Sequence, residues 1–275
     1  MRTRSPSRAA GRTLVFSHAN GFPAGTYRLL FETWDKAGWR VLALPKFGHD
    51  PKYPVTGNWP HSRDELIHFI EREAPGAAVQ LVGHSLGGYL SLLAACKRPD
   101  LAAGIVLLDS PVLAGWRAHS VQVAKAARLM GRVSPGRVSK WRRHHWGSAE
   151  VAHQHYAAKS VFARWDPRVL ADYIACGIEP DPAGGVRLAF AREVETRFYN
   201  TLPHHFGSLL KRRPPPCPVA FIGGTRSAEV RQAGMAATRA VTRGRIEWLD
   251  GTHLFPMEQP LLTAQTVLRL LVTAT

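Results

Sequence analysis

The segment from residue 79 to residue 88 constrains the fold of this chain more than any other feature. Its sequence is Val-Gln-Leu-Val-Gly-His-Ser-Leu-Gly-Gly, a short apolar run that leads into a serine with a glycine two places away on either side. A helical stretch follows directly, over residues 89–95. Glycine at those two positions leaves room for a strained turn and lets a strand and a helix cross closely. The pattern therefore predicts a strand, a sharp turn and a helix, with Ser85 at the apex as a nucleophile.

Apolar runs alternate with helical stretches on both sides of this segment. Buried strands are predicted at residues 13–17, 39–44, 79–82, 104–109, 218–224 and 245–249. Helices are predicted at residues 27–37, 62–73 and 260–272, in addition to the one after Ser85. This alternation, with nearly continuous apolar strands, predicts an α/β fold in which a mostly parallel central sheet is flanked by helices.

The alternation stops between residues 111 and 216. That stretch is helical in pattern, rich in aromatic and basic residues, and ends in three consecutive prolines. We therefore predict an α/β core at residues 13–110 and 217–275, interrupted by a helical cap at residues 111–216. The cap is expected to lie over Ser85. Residues 1–12 are interpreted as a basic N-terminal tail.

The formal net charge of the chain is +16, and much of the basic excess lies in the predicted cap. Such a charge can attract anionic substrates, nucleic acids or membrane surfaces. No nucleic-acid-binding motif accompanies it, so the favoured interpretation is a solvated basic face without a specific nucleic-acid partner. No apolar run approaches the roughly 20 residues of a transmembrane segment. The three cysteines have no metal-binding spacing and are expected to be reduced thiols, which indicates a cytoplasmic protein.

A serine hydroxyl becomes a good nucleophile when a base removes its proton and an acid orients that base. His253 is the predicted base, because it lies in a loop between the last strand and the last helix, where parallel sheets place catalytic groups. Two residues are candidates for the acid. Glu229 follows the strand at 218–224, and Asp109 ends the strand at 104–109. Glu229 is preferred, and Asp109 remains open as the alternative.

Acyl transfer also needs donors for the developing oxyanion, usually two N–H groups. The N–H group of Leu86, directly after the serine, is predicted to be one of them. The N–H group of Phe22, in the turn after the first strand, is predicted to be the other. Asn20 and His84 are expected to contact the substrate or to shape its pocket. The sequence also contains no dinucleotide-binding motif.

Four segments together resemble the α/β-hydrolase superfamily: residues 18–23, 83–88, 107–111 and 251–258. The resemblance spans nearly the whole chain and is closest to bacterial esterases and lipase-like members with a helical cap. It implies a nucleophile, an acid and a histidine in that order, and it implies neither a metal nor an organic cofactor. The family usually places an aspartate after the penultimate core strand, whereas residues 227–229 of this chain contain none. A minority of the family places the acid one strand earlier, which corresponds to Asp109.

The resulting hypothesis is a serine hydrolase that cleaves carboxylic esters through an acyl-enzyme intermediate. A small-molecule ester with an apolar acyl or aryl group is the expected substrate, and the protein is expected to be a monomer or a homodimer. The same residues would serve hydrolysis of a C–C bond, a thioester or a lactone, so these reactions remain alternatives. A non-catalytic protein that binds its ligand at the elbow is a further alternative.

Overall fold

The computed structural model describes residues 12–113 and 136–272 of the chain. Residues 1–11 of the expected tail and residues 114–135 of the expected cap lie outside these ranges. Six parallel strands form the central sheet and helices cover it, so the α/β fold class predicted from the sequence is confirmed.

The described residues form nine strands. They are β1 (Thr13–Ser17), β2 (Arg40–Ala43), β3 (Val79–His84), β4 (Ala102–Leu108), β5 (His145–Trp146), β6 (Ile178–Pro180), β7 (Val186–Leu188), β8 (Val219–Gly224) and β9 (Ile246–Leu249). The central sheet has the order β2-β1-β3-β4-β8-β9, and all of its neighbouring pairs are parallel. Because the strands are parallel, their carboxyl ends lie along one edge of the sheet.

Helices alternate with these strands along the chain. Those of the described residues are α1 (Arg28–Lys36), α2 (Pro60–Glu73), α3 (Leu86–Lys97), α4 (Gly136–Trp141), α5 (Ala149–Ala157), α6 (Pro167–Gly177), α7 (Arg192–Asn200), α8 (Phe206–Arg212), α9 (Ala228–Ala233), α10 (Ala236–Thr242), α11 (Phe255–Glu258) and α12 (Pro260–Val272). Among the helices of the described ranges, none is both long enough and apolar enough to cross a bilayer.

Both faces of the central sheet are apolar. Alternate residues of each strand point to opposite faces, so Ile105 and Leu107 of β4 pack with α2 and α3, whereas Val106 and Leu108 pack with α1 and α12. Each fully buried aliphatic or aromatic side chain contributes about 1.5–3 kcal/mol of transfer free energy. The two layers of helices therefore fix the sheet, and the sheet fixes the loops at its carboxyl edge.

Residues 136–216, here called the insertion, connect the two parts of the central sheet. They are largely helical, but they also contain a small antiparallel sheet of order β5-β7-β6. The sequence pattern does not predict these strands. Each has only two or three residues, which is too short to show an alternating pattern.

The crossing of β3 and α3 depends on two glycines. A Cβ atom on Gly83 would collide with the backbone of Gly87, and a Cβ atom on Gly87 would collide with the carbonyl group of Ser17 at the end of β1. Because those contacts are with backbone atoms, they cannot be relieved by a rotamer change. The spacing of glycines around Ser85 thus reflects close approach of three core segments.

Replacing Gly87 with Ala is expected to destabilise the fold by about 3 kcal/mol, the upper end of the usual cost of overpacking, because the Cβ atom would meet rigid backbone atoms. Gly147→Ala is the matched control, because a Cβ atom there meets nothing within 4 Å. Urea denaturation followed by circular dichroism measures both free energies of unfolding. Equal stability of the two variants would contradict the close crossing.

Candidate active site

Ser85 lies at the turn between β3 and α3, at the carboxyl edge of the sheet. Its φ of 53° is in the left-handed region that non-glycine residues rarely adopt. The Ser85 N–H donates to the carbonyl oxygen of Leu108 (2.9 Å), and the Ser85 carbonyl accepts from Ser110 Oγ (2.9 Å). Since α3 begins at Leu86, the free N–H groups of its first turn lie beside the serine.

A short hydrogen bond joins His253 to Asp109. His253 Nδ1 donates to Asp109 Oδ2 over 2.7 Å, and the Asp109 side chain is completely buried. Asp109 directly follows β4, so its carboxylate lies at the same sheet edge as the loop that carries His253. With its Nδ1 proton directed at Asp109, a neutral His253 has its lone pair on Nε2.

Glu229 does not make this contact. Its Oε2 lies 3.9 Å from His253 Nδ1, which is beyond hydrogen-bonding distance, and its side chain is 49% exposed. The structure thus differs from the sequence-based preference for Glu229 over Asp109. The reason is geometric: Glu229 belongs to the first turn of α9 and extends into solvent, whereas Asp109 ends a strand next to the loop of His253.

The Asp109 carboxylate accepts two more hydrogen bonds. Gly224 N–H donates to Oδ1 (2.8 Å) and Ser227 Oγ donates to Oδ2 (2.6 Å). Ser227 is also the N-cap of α9, because its Oγ accepts from Val230 N–H (3.2 Å). A serine in front of a helix is a recognisable capping signal, but its second contact, with Asp109, has no signal in the local sequence.

The pKa of His253 reflects opposing influences. Burial disfavours the imidazolium and by itself lowers the pKa. The hydrogen bond and charge of Asp109, with the charge of Glu229, favour the imidazolium more strongly and raise the pKa above the ordinary value of 6.5. His253 is therefore a stronger base than a free imidazole.

His84 is fully buried behind His253. The carbonyl oxygen of His253 can only accept, so His84 Nε2 carries the proton and donates to it (2.9 Å). His84 Nδ1 accepts from the Tyr27 hydroxyl (2.7 Å), whose oxygen accepts from the Ala19 N–H (3.2 Å). Burial lowers the pKa of His84 to about 3, which keeps the ring neutral. His84 is not among the residues that line the cleft, and it contacts His253 through this backbone hydrogen bond and through packing of the two rings, whose centroids are 5.1 Å apart.

The turn after β1 presents Asn20 to the same site. The Phe22 N–H donates to the Ala19 carbonyl (3.2 Å) and closes the turn, so it is not the free donor expected from the sequence. Gly21 has a φ of +83°, which allows the chain to reverse there. Among the described residues, none accepts a hydrogen bond from the backbone N–H of Asn20. The Asn20 side chain donates to the carbonyl oxygen of Glu195 (3.0 Å).

Ser85 and His253 share the wall of an open cleft of about 350 Å³. The remaining lining residues are Ala19, Asn20, Phe22, Val161, Arg164, Tyr199, Arg226, Ala228, Glu229, Thr252 and Leu254. No hydrogen bond joins the side chains of Ser85 and His253 in the described part of the chain, and such contacts often tighten only when substrate binds. A larger cavity of about 690 Å³, beside the amino end of β8, contains neither residue.

Asp109, Glu229 and His253 are also the described residues whose ligand atoms could hold a metal ion. These atoms lie within 4.8 Å of one another. Two of the three are already joined by the hydrogen bond from His253 to Asp109, which satisfies both without an ion. The arrangement therefore suits proton transfer at His253 better than metal coordination.

This chain is similar to curated lipases over part of its length. The monoglyceride lipase of Rattus norvegicus is 31% identical over 131 residues, 45% of this chain and 43% of the relative. The (lyso)-N-acylphosphatidylethanolamine lipase of Bos taurus is 27% identical over 207 residues, 66% of this chain and 56% of the relative. The chain thus spans about half the length of the curated relatives it matches.

Solved structures share the fold. The structure of an E-2-(acetamidomethylene)succinate hydrolase has a TM-score of 0.72 and 19% identity, covering 94% of this chain and 91% of that protein. An esterase of M. tuberculosis has a TM-score of 0.67 and 19% identity, covering 96% of this chain and 86% of that protein. At such low identity these likenesses concern the fold alone.

A family model described as "Alpha/beta hydrolase family" matches residues 14–266, nearly the whole chain. The match includes Ser85, Asp109 and His253, and it confirms the resemblance inferred from the sequence motifs. On this evidence, together with the parallel sheet and its serine elbow, the protein belongs to the alpha/beta hydrolase family.

Proposed function

We propose that this protein hydrolyses carboxylic esters with Ser85 as nucleophile, His253 as general base and Asp109 as the acid that orients the base. The observation that carries the proposal is the 2.7 Å hydrogen bond from His253 to the buried Asp109, at the cleft that also contains the strained Ser85. A buried carboxylate that fixes the tautomer of a cleft histidine is the arrangement that activates a serine.

The reaction begins when Ser85 Oγ attacks the ester carbonyl carbon and His253 Nε2 accepts the hydroxyl proton. The tetrahedral oxyanion is stabilised by the N–H groups of Leu86 and Asn20. The C–O bond to the alcohol then breaks, and the imidazolium of His253 protonates the leaving alkoxide. Water, deprotonated by His253, attacks the acyl-enzyme carbonyl carbon. The bond from that carbon to Ser85 Oγ then breaks, the imidazolium returns its proton to Ser85 Oγ, and the carboxylic acid product leaves.

The cleft supports a substrate with an apolar acyl or aryl group. Phe22, Val161, Tyr199 and Leu254 contribute apolar surface beside the serine. Val161 and Tyr199 belong to the insertion, which therefore acts as a cap over part of the cleft. The names of the relatives, monoglyceride lipase and (lyso)-N-acylphosphatidylethanolamine lipase, support small lipid-like esters as substrates.

Labelling with a fluorophosphonate, followed by intact-protein mass spectrometry, tests the function. One adduct per chain is expected on the native protein, with none on Ser85→Ala or His253→Ala. Turnover of 4-nitrophenyl esters of graded chain length should disappear in the same variants. A folded protein without an adduct would contradict an activated serine and favour a ligand-binding protein. Labelling without turnover of esters would direct the search to thioesters, lactones or C–C bonds.

Replacing Asp109 with Asn should lower kcat/KM by roughly 10³-fold or more, because the base would lose its orienting carboxylate. Glu229→Gln is the matched control, since Glu229 lies 3.9 Å from the same nitrogen and is half exposed. This control should retain kcat/KM to within about threefold, the scale of a lost exposed charge. The reverse ranking of the two variants would assign the acid to Glu229.

The pH dependence of kcat/KM should have an acid limb controlled by His253, because only the neutral imidazole accepts the serine proton. The pKa of His253 is raised, so activity is lost as pH falls through a midpoint above 6.5. Glu229 contributes to that rise, and Glu229→Gln should therefore move the midpoint to lower pH. A midpoint that moves upward in this variant would contradict the charge interaction.

A further inference from the structure

Two neighbouring residues of the turn after β1 lie directly under Glu195, a residue of α7 in the insertion. Asn20 Nδ2 donates to the backbone carbonyl of Glu195 (3.0 Å). A Cβ atom on Gly21 would lie only 3.0 Å from the carboxyl carbon of Glu195, so the glutamate side chain rests against the turn. On its core side the turn is held by Ala19, whose N–H donates to the Tyr27 hydroxyl. The turn is therefore fixed between the core and Glu195.

Arg142 holds the Glu195 carboxylate in this position. The two side chains form an ion pair with an N–O distance of 2.8 Å, and their exposed fractions are 18% and 7%. A buried pair of this kind loses free energy to desolvation, and removing one partner leaves the other charge unpaired in the interior. The location of the carboxylate over the turn thus depends on Arg142.

Arg142 is also connected to the turn through Tyr173 and Phe22. Its guanidinium donates to the Tyr173 hydroxyl (3.4 Å), and the ring of Tyr173 packs edge-on against Phe22, with the centroids 5.6 Å apart. The ring of Trp165 packs against Phe22 at the same distance. Residues 20, 21 and 22 therefore each meet the insertion, although they belong to the core.

We propose that Arg142 and Glu195 are positioning residues, which hold the turn so that the Asn20 N–H meets the oxyanion formed at Ser85. The insertion then completes the oxyanion hole and influences kcat, in addition to forming part of the cleft wall. This inference rests on the proposed ester hydrolysis at Ser85.

The groups that face Glu195 are Arg142 and the hydroxyls of Tyr156 and Tyr199, and the Tyr173 hydroxyl contacts Arg142 beside them. Burial raises the pKa of Glu195 above the ordinary value of 4.5, and Arg142 opposes that rise. Without Arg142 the pKa should rise further. An ionised, unpaired Glu195 would then become more frequent as pH increases, and it would disturb the turn.

The experiment uses three variants of the full chain: Arg142→Met, Glu195→Gln and the double variant. Arg187→Met is the control, because it removes an exposed ion pair with Glu179 elsewhere in the insertion. Steady-state kinetics are measured with 4-nitrophenyl acetate and with its thionoester analogue, in which sulfur replaces the carbonyl oxygen. Sulfur accepts hydrogen bonds weakly, so the thionoester depends less on the oxyanion donors.

Arg142→Met should lower kcat for the acetate by about tenfold or more, with KM changed by less than about twofold, and should lower the thionoester rate less. The ratio of the variant's kcat to that of the native protein should fall as pH rises. In the double variant, which lacks the unpaired carboxylate, that pH dependence should disappear. Arg187→Met should match the native protein.

Equal losses for both esters, a change confined to KM, or unchanged kinetics would each overturn the proposal. If Arg142→Met fails to fold by circular dichroism, Glu195→Gln gives the same comparison of esters, since it preserves side-chain shape. Failure of the proposed function itself is distinct. It would appear in the native protein as acetate turnover that survives Ser85→Ala, or as no turnover at all.

Discussion

The carboxylate of Asp109 is the contact on which the remaining candidate site depends. It accepts hydrogen bonds from the end of β8 at Gly224, from the N-cap of α9 at Ser227 and from His253. A buried carboxylate without donors would be costly, and three donors offset that cost. The end of β4, the connection between β8 and α9, and the loop of His253 are in this way drawn to one point at the sheet edge. The orientation of the base follows from the same contact.

Two buried histidines near this contact, His18 and His84, have opposite tautomers, and each forms hydrogen bonds with the surrounding backbone. His18 donates from Nδ1 to the Ala19 carbonyl (2.8 Å) and accepts at Nε2 from the Phe47 N–H (3.0 Å). His84 donates from Nε2 and accepts at Nδ1. Burial lowers the pKa of His18 to about 4, and His84 is lower still, so both stay neutral near pH 7. Because each tautomer is fixed, His18 holds the backbone at Ala19 and Phe47, and His84 holds the backbone at His253.

Much of the fold could be predicted from the sequence, because strands buried on both faces leave long apolar runs and the elbow leaves its glycines. Ser85 and the loop of His253 followed from this local pattern. The choice between Asp109 and Glu229 could not, since both follow core strands and only the three-dimensional path decides which carboxylate reaches His253. The contacts of Ser227 with Asp109 and of Glu195 with Asn20 join residues more than a hundred positions apart. No local sequence signal encodes such pairs. The local sequence likewise did not show that the Phe22 N–H, the predicted oxyanion donor, is bonded to the Ala19 carbonyl.

The pairing of β4 with β8 has a consequence for how the site is assembled. Ser85 and Asp109 belong to the first described segment, residues 12–113, and His253 belongs to the second, residues 136–272. The two are joined in register where Leu108 faces Ile222 and the Asp109 N–H donates to the Ile222 carbonyl (2.8 Å). A slip of one residue along that ladder would turn the side chain of Asp109 to the opposite face of the sheet. Catalytic activity therefore requires the correct register of β4 and β8. A chain with these strands misaligned could retain its helices and most of its sheet and still be unable to orient His253.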